Sequence, residues 1–143
     1  MFASILLPVD LEDTSGAARA AEAAQRLARD EGAELHVLNV LPDFGMSIVG
    51  SYFRKGFEAE AREEAARRLD EWCAGRGLSG PGVHAHVRQG SIYNEIIRAA
   101  EALGCDAIVM GAHRPELQDY LLGPNAARVV RHARQSVFVV RDR

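Results

Sequence analysis

The stretch that decides the fold is residues 106–141, "DAIVMGAHRPELQDYLLGPNAARVVRHARQSVFVVR". Two short apolar runs, 106–111 and 136–141, have the length and the Val/Ile content of buried strands. The segment between them ends in a stretch with helical spacing, residues 125–133, that begins just after Gly123 and carries cations late, as suits a helix dipole. A strand, a helix and a second strand form a parallel pair through a right-handed crossover. The stretch therefore predicts a βαβ unit.

The same alternation extends toward the amino terminus. Further short apolar runs predict strands, and alanine-rich segments with helical periodicity predict helices. An alternating order of strands and helices is typical of an α/β fold with a parallel sheet, and near-continuous apolar strands indicate cover on both faces. The third strand alternates valine and alanine with polar residues, so we expect it near an edge. The predicted strands span 3–9, 34–41, 82–89, 106–111 and 136–141, and the predicted helices span 15–30, 57–74, 92–103 and 125–133.

Individual positions in the helices also carry expectations. In the third helix we expect Ser91 to cap the start and Glu95 and Glu101 to point outward. In the last helix we expect both Val129 and Val130 to point inward.

One connection is long and without a regular pattern, Pro42 to Gly56. Connections of this length in small domains are usually functional or mobile. Two interpretations remain open. The segment packs on its own domain or on a partner, or it forms a lid over a ligand.

Composition limits the classes of function. The 143 residues fit one domain, and 48% hydrophobic with 26% charged residues is ordinary for a globular protein. The net charge of −3 does not favour a nucleic-acid partner. Cys73 and Cys105 lack metal-ligand spacing, which favours idle thiols in a reducing compartment. No signal peptide or membrane-spanning run is evident, so we expect a cytoplasmic protein.

A candidate ligand crevice follows from the strand ends. Asp10 lies at the carboxyl tip of the first strand, Gly111 ends the fourth, and Gly123 begins the last helix. Ligands of open parallel sheets bind at this edge, and a helix start favours an anion. We therefore expect a nucleotide with its sugar toward Asp10 and its phosphates toward Gly123. Neither a Walker A motif nor a GxGxxG fingerprint is present, which disfavours P-loop NTPases and classical dinucleotide oxidoreductases.

The whole chain resembles the universal stress protein family. The resemblance is carried by the segments ILLPVD, LHVLNV, QGSIYNEII, CDAIVMGAH and LLGPNAARVVRHARQSVFVVR. It implies a single domain over 1–143 with a Rossmann-like sheet in the order 3-2-1-4-5. It also implies a homodimer built through the last strand, Ser136–Val140, or a tetramer of such dimers. Many members of the family have an ATP site, so the resemblance also implies one here.

The resemblance also assigns site residues to four regions. The three residues 8–10, at the end of the first strand, line the base and ribose. Val40, at the end of the second strand, meets adenine, and residues 110–111, at the end of the fourth strand, lie beside the sugar. The remainder form the phosphate-binding loop and turn. The candidate residues are Pro8, Val9, Asp10, Val40, Met110, Gly111, His113, Arg114, Gly123, Pro124, Asn125 and Ala126.

Two departures from the family pattern leave the ligand open. Arg114 stands where a glycine is typical, only eight residues separate it from Gly123, and Pro124 replaces the usual hydroxyl residue. Proline removes a backbone N–H but suits the first turn of a helix. One interpretation is a regulatory protein that binds ATP, ADP or AMP, with Mg²⁺ accompanying the nucleotide, and controls a partner such as a transporter. The other is an interaction protein of the same fold without a nucleotide. No positioned nucleophile or general base is visible, so efficient catalysis is not predicted.

Overall fold

A five-stranded parallel sheet with helices on both faces organises the chain. The computed structural model describes residues 1–43, 48–112 and 122–141, and for 48–55 the backbone alone. The strands are β1 (Ser4–Pro8), β2 (Glu34–Leu41), β3 (Val83–Gln89), β4 (Ala107–Gly111) and β5 (Ser136–Val140). The helices are α1 (Thr14–Glu31), α2 (Ile48–Gly75), α3 (Ile92–Ala102) and α4 (Pro124–His132).

The strand order is β3-β2-β1-β4-β5, and every pair is parallel. β1 lies at the centre, with Leu6 opposite His36 of β2 and Ile108 of β4. The order predicted from the family resemblance is confirmed, and so is the edge position of β3. Because β1 has β2 on one side and β4 on the other, the strand order reverses at its carboxyl end, where ligands of such sheets bind.

Two hydrophobic layers cover the sheet. One holds α1 and α2, where small side chains such as Ala20 and Ala24 are fully buried and let α1 approach the strands closely. The other holds α3 and α4, packed through Ile96 and Val129 onto Leu6 and its neighbours. Burying a Leu, Ile or Val side chain stabilises the fold by roughly 1.5–3 kcal/mol. Both layers therefore hold the helices firmly against the sheet, and this packing fixes where the strand ends lie.

The second helix begins nine residues before its predicted start. The sequence predicted an irregular segment from Pro42 to Gly56 and a helix from Phe57, but the helix begins at Ile48. No proline follows Pro42 in this segment, and a glycine inside a helix costs only about 1 kcal/mol. Gly56 therefore does not break the helix. The choice between a packed segment and a lid depends on side chains of residues 44–55, which lie outside the described residues.

Three side-chain expectations are wrong. Val130 is 46% exposed while Val129 is fully buried, because Val129 lies on the face that α4 packs against the sheet and Val130, about 100° further around the helix, lies outside that face. Glu95 is buried at 8% exposure instead of pointing outward. Ser91 stands at the N-cap position, yet its side chain makes no capping hydrogen bond.

The two cysteines are buried. Burial is the main cause that raises the pKa of the Cys73 thiol to about 11, so the reactive thiolate is scarce at neutral pH. Within the described ranges, no helix combines the length and the apolar character that crossing a membrane requires.

Candidate functional site

A cavity of about 150 Å³ opens at the carboxyl edge of the sheet. It lies between the ends of β1 and β2 and the starts of α3 and α4. This volume is below the ~300–1,000 Å³ of pockets that enclose a whole drug-sized ligand, so it suits a base-sized fragment. The lining residues are Pro8, Val9, Asp10, Leu38, Val40, Ile92, Ile96, Gly123, Asn125 and Ala126.

Seven of the twelve candidate residues from the sequence line this cavity: Pro8, Val9, Asp10, Val40, Gly123, Asn125 and Ala126. Met110, Gly111 and Pro124 are not among its lining residues. His113 and Arg114 lie outside the described residues.

Sequence reasoning missed three apolar lining residues, Leu38, Ile92 and Ile96. The sequence does carry a signal for the two residues of α3: Ile92 and Ile96 are one helix turn apart, so they lie on the same face of the helix. Leu38 lies two residues before Val40 in β2 and so points to the same face of the sheet.

The end of β1 turns sharply at Asp10. One carboxylate oxygen of Asp10 accepts a hydrogen bond from the Glu12 amide at 2.9 Å, and the Asp10 carbonyl accepts one from the Asp13 amide at 3.2 Å. Arg68 of α2 holds the same turn by donating to the Leu11 carbonyl at 3.2 Å. Among the described residues, the second carboxylate oxygen of Asp10 has no hydrogen-bond donor. An exposed carboxylate oxygen of this kind suits a sugar hydroxyl.

At the end of β2, both peptide groups of Val40 face the β1 side. Even-numbered residues of β2 make their backbone hydrogen bonds toward β1. The Glu34 amide donates to the Ala3 carbonyl at 3.0 Å, and the Leu38 carbonyl accepts from the Val9 amide at 2.7 Å. Odd-numbered residues bond to β3, as Leu35 does through its amide at 2.9 Å. Because β1 ends at this level, the N–H and C=O of Val40 lie side by side at the cavity.

The start of α4 presents backbone amides to the cavity. Gly123 is its N-cap residue, with φ −64° and ψ 157°, and its carbonyl accepts the Ala127 amide at 2.9 Å. Pro124 occupies the first turn, as its fixed φ allows, and removes one N–H. The amides of Asn125 and Ala126 have no partner inside the helix, since the first turn of a helix has none to offer. A helix start of this kind favours an anion.

Gly111 has a structural role that the sequence argument did not anticipate. The sequence placed this residue beside the sugar of a ligand, but a Cβ at Gly111 would lie 3.0 Å from the carbonyl oxygen of Gly16 in α1. The glycine therefore allows α1 to pack directly on the end of β4. Met110, the residue before it, is buried in the layer under α3 and α4.

Three histidines cluster on β2 and β3, away from the cavity. His36 Nδ1 and His86 Nε2 are 2.9 Å apart, and the His84 ring stacks on His36 with centroids 5.0 Å apart. Burial, followed by the neighbouring histidines, lowers the pKa of His36, and burial lowers the pKa of His86 in the same way. In the part of the chain that the structure describes, no group of three His, Cys, Asp or Glu side chains could hold a metal ion.

Comparison with known proteins places this arrangement in a family. The model of the universal stress protein family matches residues 1–141. Universal stress protein G from Shigella flexneri is 34% identical over 143 residues, which cover 99% of this chain and 100% of that relative. The chain belongs to the universal stress protein family. The resemblance seen in its sequence motifs is confirmed.

Solved structures agree with the fold of this universal stress protein. The hypothetical protein MJ0577, whose structure was used to assign its biochemical function, is 25% identical, with a TM-score of 0.79 over 100% of this chain and 98% of that one. A universal stress protein in complex with cAMP is 15% identical, with a TM-score of 0.64 over 97% of each chain. The second likeness shows the shared fold alone.

Proposed function

We propose that this universal stress protein binds an adenine nucleotide, ATP, ADP or AMP, at the carboxyl edge of the sheet, with the base in the cavity. The observation that carries the proposal is the convergence of three complementary groups on one cavity. These are the Asp10 carboxylate, the paired N–H and C=O of Val40, and the amides of Asn125 and Ala126 at the start of α4.

Each group suits one part of such a ligand. A peptide N–H beside a C=O matches a base edge with an acceptor next to a donor, which adenine offers and guanine, at the corresponding positions, reverses. The apolar side chains of Leu38, Ile92 and Ile96 suit the faces of a base. Asp10 suits the ribose hydroxyls, and the start of α4 suits the phosphates together with any Mg²⁺ that they bring.

The proposed role is regulation in the cytoplasm, not efficient catalysis. Nucleotide contacts made at the end of β1 and at the start of α4 would link two separate elements of the chain. A ligand shifts a conformational equilibrium only through a difference in affinity between the states, and contacts to two elements provide one. The partner that responds, a transporter or another protein, would recognise the surface that this shift alters.

We also propose that the chain forms a homodimer, or a tetramer of such dimers, through β5. This strand has one partner in the sheet, β4, and its other edge is open in the described chain. Phe138 on β5 is 41% exposed and packs edge-to-face on Phe2 at 5.7 Å. An open apolar edge strand favours pairing, and a second copy of the same strand would cover it.

Calorimetric titration with ATP, ADP, AMP and cAMP tests the nucleotide proposal. We expect Gly123→Val to weaken ATP binding by about tenfold or more, because the added side chain enters the cavity. The backbone at Gly123, with φ −64° and ψ 157°, accepts valine without strain. Ala127→Val is the matched control, since it adds comparable bulk to an exposed position of the same helix. ATP affinity in the control should stay within about twofold of wild type.

Two results would contradict the proposal. Absence of binding by all four nucleotides at millimolar concentration would favour an interaction protein that uses no nucleotide. Equal loss of affinity in Gly123→Val and Ala127→Val would show that the phosphates do not lie at the start of α4.

A further inference from the structure

Asn39 of β2 is a buried polar residue next to the cavity. It is 5% exposed, and with Glu95 at 8% it makes up the buried polar or charged residues of the described chain. Its neighbours Leu38 and Val40 point into the cavity, so Asn39 points to the opposite face of the sheet. Val37, on the same face of β2, lies in a hydrophobic cluster, which makes the hydrogen bond of Asn39 the feature to explain.

The side chain of Asn39 ends the β1–β2 ladder. Its amide nitrogen donates to the Val9 carbonyl oxygen at 3.0 Å. In a regular parallel ladder this oxygen would accept from the backbone amide of Val40, because the Val9 amide bonds to the Leu38 carbonyl one step earlier, at 2.7 Å. Among the described residues, that Val40-to-Val9 bond is not present. The side chain has taken the place of the strand's own donor.

We propose that Asn39 is a positioning residue for the ligand: its bond draws the Val9 carbonyl out of line with the β1–β2 ladder, so that the Val40 N–H stays free to donate into the cavity. This inference rests on the proposed nucleotide function and names the residue that prepares its base-reading edge. An asparagine suits the task because its NH₂ group donates, whereas the carbonyl it serves can only accept.

The arrangement also fixes the direction of the Val9–Asp10 peptide. The amide nitrogen of Val9 and its carbonyl oxygen are both bonded to β2, one to the Leu38 carbonyl and one to Asn39. Asp10 follows Val9 directly, so the hydrogen bond from Asn39 to the Val9 carbonyl also helps to position the backbone that carries the Asp10 carboxylate. Loss of the Asn39 side chain would therefore alter both the base edge and the sugar edge of the cavity.

Amide hydrogen exchange in the unliganded protein tests the local part of the inference. We expect the Val40 amide of wild type to exchange at least about tenfold faster than the Leu38 amide, which lies within the paired part of β2. In Asn39→Ala, the Val40 amide gains access to the Val9 carbonyl and should exchange more slowly than in wild type. A wild-type Val40 amide as protected as that of Leu38 would overturn the inference.

ATP titration of the same variants tests the functional part. We expect Asn39→Ala to lose about tenfold or more in ATP affinity and to discriminate less between ATP and GTP. Val37→Ala is the control for simple loss of stability, because Val37 is fully buried on the same strand and face and makes no side-chain hydrogen bond. Its ATP affinity should stay within about twofold of wild type at a temperature where all variants are folded.

The outcomes separate the two proposals. If wild type binds none of the adenine nucleotides, the proposed function is wrong, and the positioning role falls with it. If wild type binds ATP and Asn39→Ala binds it equally well, the role of Asn39 is wrong while the nucleotide function stands.

Discussion

The close approach of Gly111 to the backbone of Gly16 constrains the residue that ends β4. A Cβ at Gly111 would approach the Gly16 carbonyl oxygen to 3.0 Å, and that oxygen belongs to the backbone of α1. A flexible side chain could move aside, but a helix backbone can yield only if the helix shifts as a whole. The identity of this residue is therefore set by packing between two elements.

We predict that Gly111→Ala destabilises the protein by about 1–3 kcal/mol, as overpacking typically does. Urea unfolding followed by circular dichroism measures the change. Gly56→Ala is the matched control, because Gly56 lies inside α2 and a Cβ there meets nothing within 4 Å. The same glycine-to-alanine change should be neutral at Gly56 or stabilise the helix by about 0.5–1 kcal/mol. Equal stability of the two variants would contradict the packing argument.

Among the elements, α3 is tied to β3 by a buried carboxylate in addition to its hydrophobic packing. Glu95 accepts hydrogen bonds from Arg88 of β3 at 2.9 Å and from Arg98 at 3.4 Å. It also packs against the turn before the helix, where Gly90 has a φ of +145° and a Cβ would lie 3.0 Å from the Glu95 Cγ. Since Ile92 and Ile96 of α3 line the cavity, this carboxylate helps to define the cavity wall.

We predict that Glu95→Ala lowers the free energy of unfolding by about 1–3 kcal/mol, because it removes a nearly buried carboxylate and leaves the partly exposed Arg88 guanidinium without its partner. Glu101→Ala, on the same helix, is the control. Glu101 is exposed, so its variant should differ from wild type by no more than about 0.5 kcal/mol. Thermal or urea unfolding of the pair at neutral pH gives the comparison. A Glu95→Ala variant as stable as Glu101→Ala would show that the ion pair does not hold α3.

The elements themselves were largely predictable, because their signals are local. The five strands and the spans of α1, α3 and α4 follow from apolar periodicity, and the bounds agree with the structure to within two residues. The early start of α2 was missed because residues 42–56 show no regular apolar pattern, which is the signal that the sequence prediction of helices depends on. The strand order came from the family resemblance, since periodicity does not say which strands are neighbours.

The candidate site was predictable where it consists of strand and helix ends. Asp10 and Gly123 were identified in this way and Val40 through the family resemblance, and all three line the cavity. The roles of Asn39, Glu95 and Gly111 were not, because each depends on a contact with a residue distant in the sequence. Asn39 acts on Val9, Glu95 on Arg88 of the neighbouring strand, and Gly111 on Gly16. Periodicity ranks positions as inward or outward, but it does not name the partner across an interface.

For the molecule as a whole, the open edge of β5 is the feature that bears on assembly. The Ala112 amide donates to the Val140 carbonyl at 3.1 Å, so even-numbered residues of β5 bond to β4. By alternation, the peptide groups of Val137 and Val139 face away from the sheet. They are the donors and acceptors that a second copy of the strand would use.

We predict that the wild-type protein in solution has a mass of twice the chain mass of 15.6 kDa, or a larger even multiple of it. The Val139→Pro variant should have a smaller mass in solution, because pairing through β5 is lost. Proline removes an outward N–H that β4 does not use, so the fold should survive. Light scattering coupled to gel filtration gives the mass, and circular dichroism checks the fold. Val139→Thr, which keeps the N–H, should assemble as wild type does. A wild-type mass of 15.6 kDa would refute pairing through β5.

The contact between Gly111 and Gly16 has a further consequence for how this protein can vary. The atom that a Cβ at Gly111 would meet is a carbonyl oxygen, which every amino acid at position 16 would carry. A genetic suppressor of Gly111→Ala is therefore not expected at position 16. It is expected among the alanines that set the distance between α1 and the sheet, such as Ala17, Ala20 and Ala24. Selecting suppressors of the unstable variant and sequencing them would show whether the lesion is repaired by moving the helix.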